Sequence, residues 1–263
     1  MHPTSAEETL DRSLYPRLAA RLPLAMIGRA FYPFRSLSST QDFAKRLAAD
    51  GAPDGTVVVA DSQTHGRGRL GRSWFAEPGM NLLISVLFRP AVPFARLPQL
   101  SLVAAVASAE TIRDLAGLDV GIRWPNDVLV GERKVAGILA ESASGDGEVA
   151  CVVVGIGVNV NQTGFPEEIR TRATSLAIET GGPLDREGLL GALLEALDRW
   201  YQIFLESGFL PTRAAWRRFS VTLGQEVNTS GVTGTALDMD EEGALVVLTE
   251  SGSKVRVLCG ELQ

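Results

Sequence analysis

Apolar positions change their period several times along the chain, and each change marks an element. Phe43, Ala44, Leu47 and Ala48 fall on one side of a helix over about 41–49. Ser39 or Thr40 stands where a hydroxyl cap belongs, and Gly51 follows. Thr56–Ala60 is a β-branched run and predicts a buried strand; Asn81–Phe88 predicts a second, closed by Pro90. Pro98 opens a long apolar helix to about 115, before Gly117. Gly121–Val130 and Lys134–Glu141 predict two strands joined by Gly131-Glu132-Arg133, and Val149–Asn159 another. Asp185 caps a helix over about 186–206. Its stripe of Leu189, Leu190, Leu193, Leu197, Trp200, Tyr201 and Phe204 has core spacing. Pro211 opens a short helix ending near Phe219.

Two stretches lack such a period. Residues 1–35, broken by Pro16, Pro23 and Pro33, predict little beyond a short helical segment near Leu18–Leu22. Residues 61–80 carry glycine and arginine and predict a loop. After Gly224 the pattern shortens to Val232–Asp238, Ala244–Thr249 and Lys254–Leu258, separated by Glu241-Glu242-Gly243 and Ser251-Gly252. That predicts a barrel or half-barrel of about 40 residues that needs the larger part of the chain to complete its core.

Composition narrows the functional classes. The 263 residues suit one large domain, or a large and a small one. With 25 basic and 31 acidic residues the net charge is −6, which argues against nucleic-acid binding by the chain as a whole. Two cysteines, Cys151 and Cys259, and two histidines, His2 and His65, offer no zinc-site spacing, so no metal site is expected. Both cysteines sit in apolar runs and read as buried, reduced thiols. No run approaches the ~18 apolar residues of a membrane span. The N-terminus carries Glu7, Glu8 and Asp11 rather than a basic leader, so a cytoplasmic protein with no membrane partner is expected.

The chemistry concentrates in three places. In Asp61-Ser-Gln-Thr-His-Gly-Arg-Gly-Arg-Leu-Gly-Arg-Ser-Trp74, Gly66, Gly68 and Gly71 formally spell the dinucleotide fingerprint. The following Arg72-Ser-Trp-Phe-Ala-Glu-Pro-Gly has no helical period to hold a pyrophosphate, so that reading is rejected. Arg67, Arg69 and Arg72 instead put three planar, anion-matching forks in six residues, beside an aromatic, Trp74, able to cover a flat ligand. The second place is Arg123-Trp-Pro-Asn-Asp127 with Lys134-Val-Ala-Gly-Ile-Leu-Ala-Glu141. A three-residue turn would set Asp127 opposite Gly137 and Val130 opposite Lys134. Asp127 then lies ~10 Å along its strand from Val130, so a direct contact with Lys134 is not required. The third is Gly155-Ile-Gly-Val-Asn159, a strand end with room for a ligand and an amide beside it.

In this order and spacing, the segments resemble those of biotin–protein ligases from about residue 36 to the C-terminus. Ser39-Thr40-Gln41 is similar to the family's Ser-Thr-Asn segment; Gln41 replaces its usual Asn and Arg123 its usual Lys. The resemblance implies an α+β fold, a mixed β-sheet flanked by helices like that of class II synthetases, with a small C-terminal SH3-like β-barrel. It divides the chain into an extension (1–35), a catalytic domain (36–219) and a C-terminal domain (220–263). It implies that biotin and ATP, the latter with Mg2+, give biotinyl-5′-adenylate, and that biotin passes to one lysine of a biotin carboxyl carrier protein domain. Ser39, Thr40, Gln41 and Gln63 would hold the ureido ring and adjacent chain. Gly66, Arg67, Gly68, Arg69 and Arg72 belong to the loop that would fold over biotin and phosphate. Lys134 would lie between the biotin carboxylate and the α-phosphate, and Asp127 would orient or deprotonate the acceptor amine. Lys134, Arg69 and Asp127 are the expected catalytic residues. Trp74 and Asn159 would border the adenylate, with Gly137, Ile138 and Gly155 beneath. Only about 35 residues precede Ser36, so the expectation is a single-function ligase without the DNA-binding domain of many bacterial relatives. A homodimer is compatible with this reading. The alternatives are a lipoate or octanoate ligase of the same fold and a non-catalytic biotin-responsive regulator.

Overall fold

Seven of the apolar runs become one mixed sheet in a computed structural model of the chain, which describes residues 8–144, 150–258, 260 and 262. His2, Val149 and Cys259 lie outside the described residues. The strands are β1 (Phe31–Leu37), β2 (Thr56–Gln63), β3 (Leu82–Phe88), β4 (Val120–Arg123), β5 (Asp127–Val130), β6 (Arg133–Ser144) and β7 (Ala150–Val158), in the order β1-β2-β3-β7-β6-β5-β4. β1 runs parallel to β2, and the other neighbours are antiparallel. The helices are α1 (Pro16–Ala19), α2 (Thr40–Ala49), α3 (Gln99–Ala116), α4 (Leu176–Thr180), α5 (Arg186–Ser207) and α6 (Leu210–Phe219).

Strand alternation assigns the two faces. Ile84, Val86, Val152, Val154, Ile156 and Val158 point into the large core, which α3 covers with α5 and α6 stacked upon it. Burying each such side chain is worth about 1.5–3 kcal/mol. The opposite face is closed only in part. There α2 seats Ala44 and Ala48 on Phe34, Leu37, Val58, Leu87, Cys151 and Val153. Ser39 caps α2, its Oγ accepting from the Asp42 N–H at 3.3 Å. Cys151 is buried, as its apolar surroundings predict.

Four local expectations change. Phe31–Leu37 is a strand that its weak pattern hides, because parallel pairing at the sheet edge supplies what the prolines break up. The helical segment predicted near Leu18–Leu22 is the shorter, earlier Pro16–Ala19. Gly121–Val130 is two strands rather than one: the chain turns at Trp124–Asn126, so β4 and β5 pair antiparallel with Arg123 opposite Asp127. After Gly224 there are four described strands, β8 (Glu226–Thr229), β9 (Val232–Met239), β10 (Leu245–Leu248) and β11 (Lys254–Val257), hydrogen-bonded in the order β11-β10-β9-β8. This small β domain leans on the larger sheet. Trp124 Nε1 donates to the Gly243 carbonyl at 3.2 Å, and the Arg213 guanidinium reaches Asp238 at 2.8 Å. No helix among the described residues is long and apolar enough to cross a membrane.

Candidate active site

The uncovered half of the second sheet face is floored by small residues. On β6 and β7, Gly137 lies opposite Gly157 and Leu139 opposite Gly155; on β3, Ser85 lies opposite Gly155 and Leu83 opposite Gly157. A Cβ on Gly157 would come within 2.6 Å of the Trp74 indole, and one on Gly137 within 2.9 Å of the same ring. The indole thus lies directly on a glycine floor. Above it opens a cavity of about 740 Å³.

One end of the cavity is neutral and polar. It is built where α2 begins, so that Ser39, Thr40 and Gln41 are buried beside β3. Gln63 accepts from the Thr40 N–H at 2.7 Å and from its hydroxyl at 3.0 Å. The Ser85 hydroxyl lies 2.9 Å from Thr40 Oγ1 and 3.1 Å from Gln41 Oε1. The Gln41 amide donates to the Val153 carbonyl at 2.9 Å and rests over Gly155, where a Cβ would approach it to 2.7 Å.

The other end is ionic. Lys134 Nζ stands 2.6 Å from Asp127 Oδ1 and 5.4 Å from the centre of the Trp74 ring. Arg123 holds the second Asp127 oxygen at 3.1 Å. The direct Lys134–Asp127 contact departs from the register expected from sequence. A bulge between Val128 and Leu129 sets Lys134 opposite Leu129, while Asp127 keeps its place opposite Gly137. Two residues apart on β5, Leu129 and Asp127 share a face, and the lysine's long stem spans the difference.

The arginine-glycine loop crosses between these ends. An antiparallel bridge between Arg67 and Ser73 closes it, and the Gly68 N–H donates to the Arg72 carbonyl at 2.7 Å. Its single 3-10 turn, Arg69–Gly71, confirms that no α-helix follows the glycines. Arg69 Nη1 donates to Asn126 Oδ1 at 3.0 Å, and the Asn126 amide donates to the Ile138 carbonyl at 2.6 Å. Arg67 pairs with Asp42 and with Glu141.

The cavity gathers every residue expected from sequence to be catalytic or substrate-binding except Gly66. Gly66 sits behind the loop, its carbonyl accepting the Trp74 N–H at 2.9 Å, with no room for a Cβ beside the Trp74 carbonyl. Among the described residues, Trp74 Nε1 and Asn159 Oδ1 are buried without a hydrogen-bond partner. Ser85, Phe165, Ile169, Arg172 and Leu262 also line the cavity and were missed. Ser85 carried a signal, as the one polar residue in Leu82–Phe88; the others fall in stretches without a period. No cluster of potential metal ligands occurs among the described residues.

Comparison with known proteins finds relatives of this chain. The profile of the Biotin/lipoate A/B protein ligase family matches residues 33–159. The chain is 36% identical to the biotin–[acetyl-CoA-carboxylase] ligase of Mycobacterium tuberculosis, over 86% of this chain and 85% of that protein. It is 40% identical to the bifunctional ligase/repressor BirA of Bacillus subtilis, over 83% of this chain and 69% of that one. The structure superposes on Aquifex aeolicus biotin protein ligase, solved with biotin and ATP, with a TM-score of 0.78 at 33% identity. That match covers 89% of this chain and 98% of the other.

Proposed function

The chain belongs to the biotin–protein ligase family, and from that premise we propose that it activates biotin as biotinyl-5′-adenylate and passes it to a lysine of a biotin carboxyl carrier protein domain. The observation that carries this reading is one cavity with a neutral polar recess at one end and the Lys134–Asp127 pair at the other.

The recess of Ser39, Thr40, Gln63 and Ser85 offers hydroxyls and an amide to a ureido ring, which has both donors and an acceptor and no charge. Gln41 is spent largely on the Val153 and Leu139 carbonyls and serves to hold Thr40 and Ser85 in place. The valeryl carboxylate then points along the glycine floor toward Lys134. ATP enters as its magnesium complex, its phosphates supplying ligands to the ion.

In the first step a biotin carboxylate oxygen bonds to the α-phosphorus. The bond from that phosphorus to the bridging oxygen breaks, and pyrophosphate leaves with the electron pair. Two anions meet, so the Lys134 ammonium lowers their repulsion and gains value as charge builds in the transition state. Arg69, braced by Asn126, adds a fork at the phosphate. In the second step a neutral lysine amine of the acceptor bonds to the acyl carbon, the bond from that carbon to the phosphate oxygen breaks as AMP leaves with the electron pair, and the nitrogen gives up its proton to solvent or to Asp127. Asp127 lies where that amine must arrive and orients it, with Arg123 fixing its second oxygen.

Biotin-dependent exchange of labelled pyrophosphate into ATP tests the first step, and transfer to a carrier domain tests the second. Lipoate or octanoate supporting exchange better than biotin would overturn the substrate assignment.

A further inference from the structure

Leu70 lies at the crest of the arginine-glycine loop, and its backbone is left-handed, with φ of +54°. Among the described residues only Tyr15, Leu70 and Ser230 combine a side chain with such a conformation. For a leucine this conformation costs energy that glycine would avoid. The cost secures no internal packing. Leu70 is 75% exposed, more than any other large apolar side chain among the described residues. Its neighbours are tied down on both sides, by the Arg67–Ser73 bridge, the Gly68-to-Arg72 hydrogen bond and the Arg69–Asn126 contact. The loop therefore holds a leucine out into solvent between Arg69 and Arg72, which both line the cavity.

We propose that Leu70 is a docking residue for the protein acceptor, meeting an aliphatic side chain next to the acceptor lysine. This rests on the reading that biotin is passed to a protein lysine. A lysine reaches inward on a four-carbon stem, so when its nitrogen arrives at Asp127 its backbone stays at the mouth of the cavity. Whatever flanks it in sequence must lie against the rim, where the loop offers Leu70. Among the described residues lining the cavity, Arg67, Arg69, Arg72, Arg123, Lys134 and Arg172 face one carboxylate, Asp127, while Asp42 and Glu141 pair with Arg67. The matching acceptor segment is acidic overall, with an apolar residue beside its lysine.

The experiment compares Leu70→Asn, which tolerates the left-handed backbone, with Leu70→Met, which restores apolar area. Both are assayed in three reactions: biotin-dependent pyrophosphate exchange, release of biotin from preformed adenylate to hydroxylamine, and transfer to a folded carrier domain. Leu70→Asn should leave the first two within twofold. It should raise the KM for carrier roughly tenfold, as loss of part of a leucine's burial implies, with kcat kept. Leu70→Met should restore the KM. An unchanged carrier KM in Leu70→Asn would overturn the proposal. So would a fall in exchange matching the fall in transfer, because Leu70 would then serve loop closure. Wild-type protein inactive in exchange would instead defeat the functional reading on which the proposal rests.

Discussion

Strand β7 has two faces that obey opposite rules. Val152, Val154, Ile156 and Val158 fill the core beneath α3, whereas on the other face Cys151 and Val153 pack under α2 and Gly155 and Gly157 keep the rest open. One alternating stretch therefore stabilises the molecule on one side and makes room for chemistry on the other. Stability is carried by what is present on the first face, and the site by what is absent from the second. Removing bulk from the first face and adding it to the second should thus fail in different ways.

The largest expected effect is from Gly157→Val. Its side chain would occupy the space of the Trp74 indole, and pyrophosphate exchange should fall at least a hundredfold while the far-UV spectrum is kept. The matched change Val154→Ala, on the packed face, should cost about 2 kcal/mol of stability with little loss of activity per folded molecule. Equal loss of stability in both variants would erase the distinction. Lys134→Ala comes next and leaves both faces packed. Losing one positioned cation costs about 3–4 kcal/mol, or roughly 10²–10³ in rate. Exchange should suffer most, and transfer from supplied biotinyl-adenylate should recover much of the loss. If both halves fall equally, Lys134 serves the adenylate as a whole.

Smaller effects are expected where the loop meets the floor. Asn126→Ala removes the brace of Arg69 and should shorten adenylate retention about tenfold, in line with the loss of a charge-assisted hydrogen bond. Arg69→Ala should do at least as much. In both variants adding biotin should slow amide exchange over residues 64–73 less than it does in the wild type. The smallest effect lies away from both faces. Arg17, followed by the Gly188 N–H, holds the Asp185 carboxyl below the ordinary carboxylate range. A lowered folded-state value stabilises above the unfolded value and is lost as pH falls. Arg17→Ala should therefore lower the melting temperature slightly at neutral pH, and that difference should close as pH drops below about 4.

Much of this was legible in the sequence wherever one local rule acts alone. Ser39 before an amphipathic run gave α2, and Gly117 after one gave the end of α3. The three clusters of chemistry converge because β2, β5, β6 and β7 all bring their site-side ends to one cavity. What the sequence hid depends on partners distant along the chain. Phe31–Leu37 becomes a strand only against β2. The bulge at Val128–Leu129, which brings Lys134 to Asp127, leaves no mark in residue type. Leu262 comes from the end of the other domain to line the cavity, and no period announces it.

The turn Arg123–Asp127 also has a mechanical meaning. Five consecutive residues grip three separate bodies. Trp124 is hydrogen-bonded to the small β domain at Gly243, Asn126 to the loop at Arg69, and Asp127 to the ammonium of Lys134. The indole of Trp124 is buried, so it cannot slip without unpacking its surroundings. A rotation of the C-terminal sheet is thereby geared to the loop and to the reacting end of the cavity through a lever one turn long. Displacement of that sheet would reach Arg69 through Asn126 and Lys134 through Asp127.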